Sequence, residues 1–126
     1  MDVLLSIKPE FADKIFSGQK KYEYRKAIFK KDVNRIVVYA SNPIKKIIGE
    51  FSVRKILVES PETLWRLTGN DSGINKDFFF EYFLNRNIGY AIMVEKASRY
   101  HIPIDPKELD DKFTPPQSFK YLNSLD

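Results

Sequence analysis

The apolar positions of this chain fall into short runs whose period switches between two and about 3.6 residues. Val3–Ile7 is a brief apolar run closed by Pro9, the pattern of a strand. Alternation puts Val3, Leu5 and Ile7 on one face and Leu4, Ser6 and Lys8 on the other. Behind Pro9, which suits a first helical position, Phe11, Ala12, Ile15 and Phe16 recur at helical spacing. Gly18 stands where a left-handed cap belongs, so the spacing predicts a helix over 9–17. Lys20–Lys26 alternates again, with Tyr22 and Tyr24 facing one way and Lys21, Glu23 and Arg25 the other. Asn34–Ser41 is β-branched and strand-like, and Asn42-Pro43 reads as a turn. Residues 47–58 predict a long strand that bends or bulges, because the apolar phase shifts between Val53 and Ile56. Gly49 inside it marks a close backbone approach.

Ser60-Pro61-Glu62 combines an N-cap serine, a proline at the first helical position and an acid in the first turn. It predicts a helix over 61–68 carrying Leu64, Trp65 and Leu67 and ending at Gly69. Asn75 caps a further helix over 75–85, whose ring stripe of Phe78, Phe79, Tyr82 and Phe83 reads as core. Ile88–Glu95 is another strand, and Tyr100–Ile104 a separate short extended piece. Pro103, Pro106, Pro115 and Pro116 keep the end irregular. Strands joined mostly by hairpins, with helices inserted at the ends, predict an α+β fold: a small mixed β-barrel with flanking short helices. The 126 residues fit a single domain over 1–126, without repeat or linker.

Composition narrows the chemistry. There is no cysteine, which removes disulfides, thiolate metal sites and cysteine nucleophiles. His101 is the sole histidine, so no two-histidine metal motif exists; its two readings are structural and catalytic. No metal and no cofactor are expected. No apolar run approaches the roughly 18 residues of a membrane helix, and the N-terminal residues lack a leader's pattern, so no membrane partner and a cytoplasmic location are expected.

The net charge of +4 is unevenly spread. Residues 1–60 hold thirteen Lys/Arg and seven Asp/Glu, whereas 61–126 hold eight and ten. Nine of the basic residues fall within 19–46, against Glu23 and Asp32, a field that attracts phosphates. The densest polar group is Gly18-Gln19-Lys20-Lys21-Tyr22-Glu23-Tyr24-Arg25. On one strand face, Glu23 and Arg25 lie about 7 Å apart. If that face lines a cleft, Lys20 and Arg25 offer donors for phosphate or a base edge, and Glu23 an acceptor for an exocyclic amine. If it faces solvent, the same residues form surface ion pairs of little energetic consequence.

Gly18-x-Lys20-x-x-Glu23-x-Arg25 resembles the G-x-K-x-x-E-x-R signature of the ASCH domain family of the PUA-like superfamily. Five further blocks resemble that family in order: Leu5–Pro9, Val38–Pro43, Ile48–Phe51, Ser60–Trp65 and Pro115–Leu122. The resemblance implies a PUA-like barrel with a cleft beside the motif, and a role with RNA, another nucleic acid or a nucleotide, including recognition of a modified base. It also implies a place among transcription or RNA-related regulators. One branch of the family resembles amidohydrolases acting on acetylated cytidine through a Lys, a Thr and a distant Glu. Lys20 matches that Lys, but Glu23 stands where that branch has Thr.

The expected ligand-binding set is Lys8, Lys20, Glu23, Arg25, Ser41, Gln117 and Ser118, with Lys20 and Glu23 as the catalytic pair if the protein is an enzyme. Lys8 is either a cleft residue or an exposed helix-start lysine. Trp65 either stacks a base or packs in the core. Ser6 and Ser41 end predicted strands near the cleft. Gln117 and Ser118 close the cleft, or Phe119, Tyr121 and Leu122 simply anchor that tail. The preferred function is a nucleic-acid or nucleotide-binding module. The alternative is a hydrolase of RNA or a modified nucleoside, either nuclease or amidohydrolase, and a third class is a protein-interaction domain. Oligomeric state is not legible.

Overall fold

The computed structural model describes residues 1–122; residues 123–126, included in the expected domain span, lie outside the described residues. Six strands form one mixed sheet: β1 (Asp2–Ile7), β2 (Tyr22–Arg25), β3 (Arg35–Ala40), β4 (Lys46–Glu59), β5 (Gly89–Ile104) and β6 (Phe119–Leu122). Helix α1 (Pro9–Ser17) follows β1, while α2 (Pro61–Thr68) and α3 (Lys76–Tyr82) lie between β4 and β5. The spatial order is β2-β5-β4-β3-β1-β6, with β1 and β3 parallel and every other pair antiparallel. Among the described residues the sheet does not close, so the expected barrel is an open one with edges at β2 and β6.

The helix ends follow the local chemistry. Gly18 takes φ of 86°, the left-handed cap that stops α1, and donates its N–H to the Ile15 carbonyl. Ser60 accepts from the Thr63 amide and Asn75 from the Phe78 amide, covering donors that a helix leaves unpaired. Helix α3 is shorter than the expected 75–85: Phe83 is its C-cap, and Asn85 enters the left-handed region at φ of 64°.

The expected bend in the long strand is present as register shifts on both sides of Val53. Expected pieces 88–95 and 100–104 are instead one continuous strand, β5. Pro103, expected to keep the end irregular, lies within β5, where a shift in pairing between Ile47 and Gly49 gives β5 extra residues opposite β4. The close approach at Gly49 is also observed. A Cβ there would stand 2.5 Å from the Phe16 ring and 2.6 Å from the Ser98 carbonyl oxygen.

Three apolar clusters result. Val3, Leu5, Ile7, Ile36, Val38 and Phe51 pack with Ala12 and Ile15 of α1. Tyr22 and Tyr24 turn the other way from Glu23, into Leu64, Phe79 and Phe83 of the α2–α3 region. Leu4, Val37, Tyr39 and Ile47 fill the opposite side of the sheet. The second cluster positions the site, because it fixes the face that β2 turns toward α1 and β1.

Gly49→Ala is expected to destabilise the protein by about 1–3 kcal/mol, since the Phe16 ring can shift but the Ser98 carbonyl belongs to a paired strand. Urea unfolding followed by tyrosine fluorescence reads the loss; an unchanged midpoint would show that the β4–β5 pair is looser than this packing implies.

Candidate functional site

The strand β2 is four residues long, and its first three are buried, so its charged residues are not surface ornaments. Lys20 is only 3% exposed and Glu23 6%. The surface-ion-pair reading of the motif is therefore excluded. The Arg25 guanidinium pairs with the Glu23 carboxylate at 3.0 Å, with the two side chains 11% and 9% exposed. Arg25 Nη2 also donates to the Ser6 carbonyl at 2.8 Å, and Nη1 to the Ser118 carbonyl at 3.5 Å. One side chain thus joins β2 to β1 and to the chain entering β6, across the gap that no backbone ladder closes.

Lys20 is held from another direction. Its Nζ donates to the Ser72 carbonyl at 3.0 Å and lies 4.7 Å above the Tyr24 ring and 5.5 Å from the Phe11 ring centre. The loop that supplies Ser72 is itself pinned. Lys14 Nζ donates to the Gly73 carbonyl at 2.8 Å, the Lys21 amide to the Asp71 carbonyl at 2.9 Å, and the Ser72 hydroxyl to the Gly69 carbonyl at 2.8 Å. Gly73 has φ of 71°, and a Cβ there would stand 2.8 Å from Cβ of Lys20. The position needs glycine both for its backbone angle and for the nearness of Lys20. Burial pushes the Lys20 amine below the usual lysine range, with the Glu23 charge acting in the opposite direction. Tyr24 is pushed up to about 12, chiefly by burial, while its hydroxyl makes a 2.6 Å hydrogen bond with Thr68.

Lys20, Glu23, Tyr24 and Arg25 line a cavity of about 170 Å³ together with Ser6, Lys8, Phe11, Phe78 and Tyr82. Lys8 is exposed at the start of α1, where its side chain makes no capping bond. The structure thus brings Lys8, Lys20, Glu23 and Arg25 together, with aromatic walls from α1 and α3. The arrangement offers fixed donors, one acceptor-only carboxylate and rings against which a flat group can stack.

The other expected positions lie elsewhere. Ser41 lines a separate recess with Tyr39, Asn42 and Lys45. The strand order explains this: β3 lies on the far side of β1 from the gap that β2 faces. Gln117 is exposed and lines no described cavity; Ser118 reaches the motif through its backbone carbonyl rather than its hydroxyl. Phe119, Tyr121 and Leu122 anchor the tail, as β6 paired to β1. Ser6 does face the cavity, and its hydroxyl donates to the Pro116 carbonyl at 2.8 Å. Trp65 packs against Phe79 and Phe80, away from the cavity, and His101 is exposed on β5. Phe78 and Tyr82, expected in the core with the rest of the α3 stripe, line the cavity together with Phe11 of α1, a place that follows from tertiary packing. One signal was available: the α3 stripe carries more rings than one buried helix face can absorb, and Phe78 is left exposed. The Ser72 carbonyl had no signal at all, because every residue has one.

Two outcomes follow from this geometry. Arg25→Ala leaves Glu23 buried without its partner and unties the gap, and is expected to cost about 3–5 kcal/mol in denaturant unfolding. The second concerns pH. Below the ordinary lysine value of 10.5, the unfolded chain retains a Lys20 proton that the folded chain more readily releases, so stability rises with pH there. Above about 10 the folded chain keeps the Tyr24 proton that the unfolded chain loses, so stability falls toward about 12. Lys20→Met should remove the rise and Tyr24→Phe reduce the fall, measured as urea midpoints across the alkaline range. A wild-type pH profile in both variants would show that neither group is desolvated as described.

A family model for the ASCH domain matches residues 5–100. An "ASCH domain-containing ribonuclease" of Zymomonas mobilis is 32% identical over 128 residues, covering 96% of this chain and 84% of that protein. The crystal structure of ASCH from Zymomonas mobilis superposes with a TM-score of 0.91 at 30% identity, covering 98% of this chain and 88% of that one. The N-terminal domain of Staphylothermus marinus McrB has a TM-score of 0.54 at 15% identity, covering 90% of this chain and 81% of that one, a likeness of fold alone.

Proposed function

The chain belongs to the ASCH domain family of the PUA-like superfamily, and on that premise we propose that residues 1–126 form one RNA-binding domain that holds one unpaired base in the cleft beside β2. The observation that carries this reading is the convergence of Lys8, Lys20, Glu23 and Arg25 with Phe11, Phe78 and Tyr82 around one cavity of about 170 Å³. That volume suits a single flat ring system rather than a duplex. RNA is commonly read in this way, with an unstacked base set against aromatic rings and hydrogen-bonded along its edge. Glu23 accepts from an exocyclic amine, Lys20 donates to a ring nitrogen or carbonyl, and Lys8 sits at the mouth for a phosphate. A modified base fits the same scheme where the modification leaves that amine edge able to donate. Regulation of transcription or of RNA is the expected biological setting. No helix among the described residues is long and apolar enough to cross a membrane.

A second reading, cleavage of RNA, is favoured by the relative named a ribonuclease and by the depressed basicity of Lys20. In it, Glu23 takes the proton of a ribose 2′-hydroxyl, the 2′-oxygen attacks phosphorus, and the 5′-oxygen leaves with a proton from the Lys8 or Lys20 ammonium, which burial makes a readier donor at Lys20. This chemistry uses no metal, and no cofactor enters either reading. Removal of an acyl group from a modified nucleoside is the other hydrolytic outcome, and Glu23 would have to activate a water for it.

Mass spectrometry of RNA and nucleoside pools incubated with the protein separates these readings: retained species mark a binder and altered species an enzyme. Glu23→Gln keeps the size and reach of the side chain but removes its charge and basicity. Binding alone should survive within a few fold, whereas an enzyme that uses Glu23 as its base should lose about 100-fold or more in turnover. If wild-type protein neither retains nor alters any pool component, the cleft is not a nucleotide site and a protein-interaction role takes its place.

A further inference from the structure

We infer that the loop leaving the cleft, residues 26–31, is a second subsite that takes the phosphodiester backbone of a single strand, so that the ligand is a polynucleotide rather than a free nucleoside. This rests on the cleft reading above and adds to it. The loop starts at Arg25, inside the cavity, and Lys26 follows directly, its Nζ 4.7 Å above the ring of the cavity residue Tyr82. The loop then sinks an apolar anchor: Phe29 is buried and meets the Phe119 ring edge-on at 5.9 Å. Immediately afterward the backbone is fixed from outside, because the Tyr121 hydroxyl accepts from the Lys30 amide at 2.7 Å and from the Lys31 amide at 3.2 Å. Lys31 Nζ lies 5.0 Å above that same tyrosine ring. Lys26, Lys30 and Lys31 are all exposed, and none forms an ion pair among the described residues.

A loop that merely solvated its lysines would not need this fastening. Here the apolar side chain is buried, the amides are capped, and two of the three cations lie over rings. What remains on the outside is a pre-shaped positive ledge that begins at the cleft wall. Between Arg25 and Lys31 the chain can span at most about 20 Å, enough for backbone phosphates beyond the nucleotide in the cleft. A free nucleoside would touch none of it. Single strands are bound by this combination of a stacking site and a cationic track, and the phosphate contacts make affinity depend steeply on salt.

The test compares a nucleoside monophosphate with a short single-stranded oligoribonucleotide of the same base, by calorimetry or fluorescence at several salt concentrations. Wild-type protein should bind the oligonucleotide at least about tenfold more tightly, with the steeper salt slope. Lys30→Ala combined with Lys31→Ala should remove most of that advantage and lower the slope by about 0.7 per lost contact, while leaving the monophosphate unaffected. Both lysines are exposed, so the variant is expected to fold, and circular dichroism checks this. Equal affinity for both ligands, or an oligonucleotide slope unchanged in the double variant, overturns the ledge and leaves the cleft standing. Absence of binding to either ligand overturns the cleft reading and the ledge with it.

Discussion

A sheet that fails to close by one ladder must be closed by something else, and here it is the Arg25 guanidinium. Among the described residues the edge strand β2 has β5 on one side and no strand on the other, while β1 carries β6. Arg25 spans the opening with planar donors aimed at the Ser6 and Ser118 carbonyls, and Glu23 neutralises it from within the same strand. A lysine cannot replace it, since its single ammonium lacks the fork that reaches several acceptors at once. The structural tie and the candidate binding group are therefore one residue. So much charge is tolerated in a small interior because Lys20, Glu23 and Arg25 each meet a partner of opposite polarity or a carbonyl, although Arg25 Nε is buried with no partner among the described residues.

Placing Lys20 uses a different device. The loop between α2 and α3 wraps over the motif and presents the Ser72 carbonyl, and Ser72 is itself completely buried. Lys14 holds the next carbonyl, so α1, the motif and the α2–α3 loop are tied into one unit by two lysines. On the other side of β2, the Tyr24 hydroxyl is tied to Thr68 at the end of α2, and the Tyr82 hydroxyl donates to the Tyr24 carbonyl at 3.2 Å. Both faces of a four-residue strand are thus specified, one by aromatic packing and one by charge. Such pre-organisation reduces the ordering that a ligand must impose when it binds.

Interior cations and exposed cations play different parts in this molecule. Lys20 and Arg25 are fixed and partly desolvated, which suits recognition of a defined group at short range. The exposed lysines of the 26–31 loop keep their hydration and act over a screening length, which suits a chemically uniform partner such as a phosphate chain. The two sets meet where Arg25 gives way to Lys26, so the proposed cleft site opens directly beside the proposed ledge.

Local chemistry alone determined a good part of this protein. The ends of α1 and α2, the caps at Gly18, Ser60 and Asn75, the shift around Val53 and the tightness at Gly49 are all properties of a few neighbouring residues. The opposed faces of β2 were legible because strand alternation has a period of two. What depended on tertiary structure was everything requiring a partner distant in sequence. Continuity of β5 through Pro103 was decided by its pairing with β4, which accommodates the missing donor in a shift of register. The separation of Ser41 from the motif was decided by strand order, and the role of Ser118 by a backbone carbonyl that no side-chain pattern reveals. Whether Glu23 and Arg25 face water or each other was likewise undecided along the chain. Burial arises from what α1, α3 and the Ser72 loop place over β2, and alternation specifies which side a residue takes but not what covers that side.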